Sequence, residues 1–179
     1  MRAALSLHPA FRSPAVSRID VEVERPTAGV LTLRYRLTGA IRELVLPPAT
    51  SSARADDLWR RTCFEAFVRA GDDEAYCELN FSPSSHWAAY RFSGYREGMT
   101  PAELPAVAVA AAASDQELEL SATVDLSRAA PAGAAWRLGL SAVVEAADGN
   151  LTYWALAHPP GRPDFHHPES FALELPEPA

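Results

Sequence analysis

Glu65, Glu78, Asn80 and Arg91 stand in three successive apolar segments of the chain, in the company of Phe67 and Tyr76. An arginine offers a fork of N–H donors, carboxylates accept hydroxyl hydrogens, and aromatic rings cover the apolar faces of a ligand. On a concave sheet face this set binds a polar molecule such as a sugar. On an open face it is an ion-pair ladder worth roughly 0–1 kcal/mol. Both readings follow from residue types alone. Glu65 and Glu78 are also the two carboxyls that glycoside hydrolysis requires, held about 5–5.5 Å apart in retaining enzymes. Arg91 beside Glu78 argues against that chemistry, since it lowers the pKa of a group that should be raised.

The elements that must position these residues are segments 62–69, 75–81 and 87–93, each read as a strand. Residues 70–74, with Gly71, Asp72 and Asp73, form a hairpin loop, and a Ser/Pro turn follows Phe81. Antiparallel pairing with Phe64 opposite Leu79, Ala66 opposite Cys77 and Val68 opposite Ala75 makes one face apolar. The other face then pairs Cys63 with Asn80, Glu65 with Glu78, and Phe67 with Tyr76. A one-residue slip would mix the two sets, so burial favours this register. Extending it places Leu79 opposite Tyr90 and Cys77 opposite Phe92, which brings Arg91 beside Glu78. Cys63 and Cys77 point to opposite faces, so a disulfide between them is not expected.

Period-2 alternation recurs along the rest of the chain, as in Leu31, Leu33, Tyr35 and Leu37 against Thr32, Arg34 and Arg36. Further strands are expected at 41–46, 105–112, 117–125, 136–145, 151–157 and 170–175. Turn residues punctuate them, including 131–133 and the hairpin signal Asp148, Gly149, Asn150. About a dozen short strands at regular spacing predict an all-β, antiparallel β-sandwich. At 179 residues the expectation is a single domain spanning 1–179. The net charge of −7 is dispersed, so no basic stripe suits nucleic acid. The first apolar run is broken by His8 and Pro9 before it reaches the roughly 7–15 residues of a signal core, and no segment approaches a membrane span. A cytoplasmic protein with reduced cysteines, and with no membrane partner, is expected.

Residues 158–170 hold three histidines with Asp164 and Glu169, all metal-capable, yet four prolines stiffen the stretch and adjacent His166 and His167 diverge. This reads as a rim loop, and no metal ligands are assigned. Ser82, Ser84 and Ser85 belong to a turn, and no phosphate loop or catalytic triad spacing is present. Exposed sheet edges leave a protein-interaction module as a further class.

The strings DLWRRTCFEAFV from Asp57, YCELNFSPSSHWAAYRFSGYREGM from Tyr76, WRLGLSAVVEA from Trp136 and YWALAHPPGRPDFHHPESF from Tyr153 resemble DOMON-like bacterial proteins of the subgroup found near the cell-wall reductase gene murB. The resemblance spans most of the chain. It implies a jelly-roll sandwich similar to carbohydrate-binding module family 9, in a superfamily that binds sugars or haem. From the sugar-binding relatives it implies Trp59 and Trp154 as stacking walls beside Glu65 and Arg91. The resulting ligand set is Trp59, Glu65, Tyr76, Glu78, Asn80, Arg91 and Trp154, with no catalytic residue and no cofactor. From the haem-binding relatives it implies an alternative in which Met99 and one of His86, His158, His166 or His167 ligate iron.

Overall fold

Alternating apolar residues make twelve antiparallel strands among the described residues of a computed structural model, which describes residues 1–130 and 133–178. They are β1 (Arg2–Leu7), β2 (Val16–Thr27), β3 (Val30–Gly39), β4 (Cys63–Ala70), β5 (Tyr76–Phe81), β6 (Trp87–Phe92), β7 (Thr100–Pro101), β8 (Val107–Ala113), β9 (Glu117–Asp125), β10 (Trp136–Glu145), β11 (Leu151–Ala155) and β12 (Leu173–Leu175). Their order is β7-β6-β5-β4-β10-β11-β1-β2-β3-β9-β8, with β12 pairing the start of β10. β1 closes the two layers into one curled sheet. Its first half pairs with β2 and its last residues with β11. This is the β-sandwich that the strand spacing predicts.

The core lies between the layers. Ile19, Val21, Leu31, Leu33, Tyr35, Leu37, Leu118 and Leu120 of one layer meet Phe64, Ala66, Val68, Leu79, Phe81, Leu138, Leu140 and Ala142 of the other. Tyr35 crosses the gap to donate its buried hydroxyl to the Glu65 carbonyl at 2.7 Å. The β10–β11 hairpin turns through Gly149, whose φ of 84° suits glycine, as the Asp-Gly-Asn signal requires.

A second apolar cluster covers the outer face of the β4–β6 layer: Phe67, Tyr76, Phe92, Val143, Phe165 and Phe171, with Tyr90 and Tyr153 packed against it. Residues 158–171 lie on this face, pinned at Gly139, where an added Cβ would stand 3.1 Å from the Ser170 carbonyl oxygen. The layer is therefore buried on both sides. β4 and β5 show almost no alternation of exposure.

Several expectations are corrected. Segment 41–46 opens as a 3-10 turn (Ile41–Glu43) instead of a strand. β1 forms in a stretch where no strand is expected. The expected turn at 131–133 lies partly outside the described residues. In the β4–β5 pair, Glu65 stands opposite Asn80 and Phe67 opposite Glu78, two residues from the expected register, because the loop is 71–75 instead of 70–74, with the Gly71 N–H given to Ala135 at the end of β4. A shift of two keeps every side chain on its face. The β5–β6 pair differs by one residue, with Glu78 opposite Tyr90 and Cys77 opposite Arg91. There the turn closes by Ser82 N–H to His86 O, with Ser85 left-handed at φ 75°.

Candidate functional site

That single-residue difference reverses the faces of β6. Tyr90 and Phe92, expected in the core, lie on the outer face beside Tyr76 and Glu78. Arg91 goes to the other face with Ala89 and Cys77, and is exposed. Arg91 is thus no part of the acidic row. Trp154 is corrected in the same way: it is buried in the inter-layer core with its indole N–H given to Thr152, while Tyr153 faces outward. Cys63 and Cys77 are free thiols on opposite faces, as their parity predicts.

Glu65, Phe67, Glu78, Tyr90, Val143 and Tyr153 form the floor of a cleft of about 670 Å³ on the outer face. Its rim comes from three irregular segments. The turn Leu58–Arg60, entered through a left-handed Asp57, presents Trp59 at 48% exposure with Arg60 over its ring. Residues 93–99 contribute Arg96 and Met99, and residues 158–171 contribute Pro163, Phe165 and His166. Of the residues expected to bind ligand, Trp59, Glu65 and Glu78 line the cleft. Tyr76 and Asn80 stand behind them, and Arg91 and Trp154 lie elsewhere.

Burial decides the chemistry of the floor. Glu65 is 3% exposed and accepts one hydrogen bond among the described residues, from Ser141 Oγ to Oε2 at 3.2 Å. Loss of water, and then the charge of Glu78, push its pKa up to about 8, against the pull of Ser141. Glu78 is 7% exposed and is also raised by burial, with the Asn80 amide, which donates to Oε1 at 2.7 Å, and Arg96 opposing. Asn80 in turn accepts from the Cys63 thiol through Oδ1. The two glutamates sit diagonally, since Glu65 faces Asn80 and Glu78 faces Phe67. Diagonal neighbours are about 7–8 Å apart, not the separation expected for a directly opposed pair.

His166, expected in a rim loop or as a haem ligand, lines the cleft. Tyr76 Oη accepts the Arg96 backbone N–H at 3.2 Å and stands 2.8 Å from His166 Nδ1. The Tyr76 hydroxyl and Nδ1 share this hydrogen bond, which leaves Nε2 as the ring nitrogen turned to the cleft. Nε2 points at Glu78 Oε2, 3.7 Å away. Burial, and then Arg96, lower the His166 pKa to about 4, so this contact is not an ion pair near neutral pH. The imidazole is uncharged and turned toward the acid.

Asp164 ties the two covering segments together. It receives the Tyr95 hydroxyl, the Arg96 guanidinium at 2.8 Å and the His166 backbone N–H at 3.1 Å. Burial opposes its ionisation, but these bonds and the Arg96 charge together hold its pKa below the usual range. On the far rim, Asp56 accepts from Tyr90 and pairs with Arg54 at 2.9 Å. No local sequence pattern announces the bonds of Tyr95 and Arg96 to Asp164 or of Tyr90 to Asp56, because each joins segments distant along the chain.

A haem iron between Met99 and His166 would take His166 Nε2, which stands 3.7 Å from Glu78 Oε2, so the metal would displace that contact and sit against a buried carboxyl. This is a poor fit for that group. His158 Nε2 instead donates to Ser6 O, and His167 accepts the Glu169 N–H. Among the described residues no three His, Cys, Asp or Glu side chains converge as a metal site, and no helix is long and apolar enough to cross a membrane.

The chain has the fold of the carbohydrate-binding sandwiches. It is similar to a putative carbohydrate-binding protein from Bacteroides uniformis, with 14% identity, TM-score 0.66, and coverage of 94% of this chain and 83% of that one. It is also similar to a family 9 carbohydrate-binding module from Caldicellulosiruptor kristjanssonii. The glucose complex of that module matches at 13% identity and TM-score 0.54 over 90% and 76% of the two chains. Its cellotriose complex matches at 12% identity and TM-score 0.56 over 90% and 74%. No family model and no curated protein matches the chain.

Proposed function

We propose that the cleft binds a carbohydrate or sugar-like polar small molecule without transforming it. The observation that carries this is the pairing of two buried, incompletely hydrogen-bonded carboxyls with aromatic walls in one concave site. Glu65 and Glu78 offer acceptors to hydroxyls, and Phe67, Tyr90, Tyr153 and Trp59 offer apolar faces to sugar C–H groups. The fold likeness to family 9 modules, and the sequence likeness to DOMON-like proteins of the murB-neighbour subgroup, support the same reading. A cytoplasmic site of action belongs to this proposal as well.

A second reading, glycoside hydrolysis, has one observation in its favour. The diagonal placement of Glu65 and Glu78 sets their Cβ atoms farther apart than a directly opposed pair, the direction in which inverting sites differ from retaining ones. Against it, burial raises both carboxyls, whereas the reaction needs their pKa values pushed apart.

Calorimetric titration with glucose, cellotriose and hexosamines tests the binding reading. Saturable heat is expected, with affinity falling about tenfold in Trp59→Ala as the exposed stacking ring is lost. Absence of binding by every sugar would sink it. Turnover of an aryl glycoside that vanishes in Glu65→Gln would favour the hydrolase.

A further inference from the structure

We infer that the sugar this cleft prefers carries a protonated amine in place of a hydroxyl, with the ammonium seated between Glu65 and Glu78. The inference rests on the sugar-binding reading and names the class of sugar. Two arginines and four carboxylic acids line the cleft: Arg54 and Arg96 against Asp56, Asp57, Glu65 and Glu78. Each arginine is already committed, Arg54 to Asp56 at 2.9 Å and Arg96 to Asp164 at 2.8 Å. Asp57 is held by Arg60 at 3.2 Å. The floor acids have no such counterion.

Their free acceptors point the same way. Ser141 serves Glu65 Oε2 and Asn80 serves Glu78 Oε1. Among the described residues Glu65 Oε1 receives no hydrogen bond, and Glu78 Oε2 has only the uncharged imidazole of His166 at 3.7 Å. The groups facing Glu65 are Cys63 on its own strand, Glu78 on β5, Ser141 on β10 and Tyr35 from the other layer. None is a cation. Glu65, 97% removed from solvent, is therefore a nearly dry acid with no cation among the groups that face it, while the charge of Arg96 is felt by Glu78. A neutral hydroxyl gives such a group one ordinary hydrogen bond. An ammonium gives three donors and the missing charge, in bonds roughly twice as strong.

The neutral sugar and the amino sugar also differ in protons. Glu65 holds its proton up to a pH of about 8 in the free cleft. An arriving ammonium favours the carboxylate, so the proton leaves to solvent as the complex forms. A hexose brings no charge and releases none.

The test titrates the full chain at pH 6.5 with glucosamine, galactosamine and mannosamine, their parent hexoses, and the N-acetyl derivatives that remove the charge. At least one free amine should bind about tenfold or more tightly than its hexose and its N-acetyl form. Binding heats in buffers of different ionisation enthalpy should show net proton release for the amine alone. In Glu65→Gln, checked for fold by circular dichroism, the amine preference should drop towards unity. Hexoses binding as tightly as the amines, or amine binding without proton release, would overturn the inference while leaving the sugar site standing. If no sugar binds, both fall.

Discussion

Glu65 is the residue on which site and stability meet. Its carboxyl is raised from an ordinary value near 4.5 to about 8 by burial and Glu78. The folded state thus holds a proton that the unfolded chain releases, so stability is full below the unfolded value and is lost as pH rises towards 8. Replacing Glu65 with Gln removes that loss. Urea denaturation should find Glu65→Gln more stable than the native protein by on the order of a few kcal/mol at pH 8, with the difference vanishing near pH 4. His166 works in the opposite sense. Its pKa is lowered to about 4, so its contribution is complete above an unfolded value near 6.5 and fades as pH falls through that window. In Glu65→Gln the profile should therefore keep its decline as pH falls below 6.5, while the loss of stability between about 4.5 and 8 should shrink to what Glu78 contributes. An unchanged alkaline slope would show that Glu65 is not the titrating group.

The elements that shape the cleft are mainly irregular ones held by specific contacts. Residues 93–99 turn through Arg96 at φ 57° and Gly98 at φ 61°. A Cβ on Gly98 would come within 2.3 Å of Ser93 Oγ, in a backbone region that side chains avoid. Gly98→Ala should cost about 1–2 kcal/mol and loosen this loop. Hydrogen exchange gives a local readout, because the Arg96 amide is bonded to Tyr76 Oη and should exchange faster in the variant. If that amide stays protected, the loop does not depend on the left-handed glycine. Asp164 couples the loop to residues 158–171, so loosening one covering segment should weaken sugar binding as well.

At the scale of the whole molecule, β1 joins the two layers into a continuous sheet and one apolar core lies between them. A single cooperative unfolding transition is expected, with circular dichroism and tryptophan fluorescence giving coincident midpoints. Tyr35 is the polar tie across that core, reaching the backbone of the strand that carries Glu65. Tyr35→Phe should lower stability by about 1 kcal/mol without splitting the transition. Two separate midpoints would mean that the layers unfold independently.

Alternation of apolar and polar residues along each strand was enough to predict the sandwich, and the apolar inner row Phe64, Ala66, Val68 and Leu79 followed from it. The faces of Glu65, Phe67, Tyr76, Glu78 and Asn80 were also legible, because a two-residue shift of register leaves parity unchanged. The placement of Arg91, Tyr90 and Phe92 was not. Both faces of β6 carry apolar residues, since residues 158–171 cover the outer one, so hydrophobicity could not tell a one-residue difference apart. A left-handed Ser85, which residue type does not announce, decided it. Trp154 and Tyr153 are adjacent and both aromatic, and only the pairing of β11 with β10 and β1 determined which faces the core. The acids were written in the sequence. That neither has an arginine as an ion-pair partner came from long-range packing, which bound Arg96 to Asp164, sent Arg91 to the other face and replaced an expected ion-pair row with two buried acids on a cleft floor.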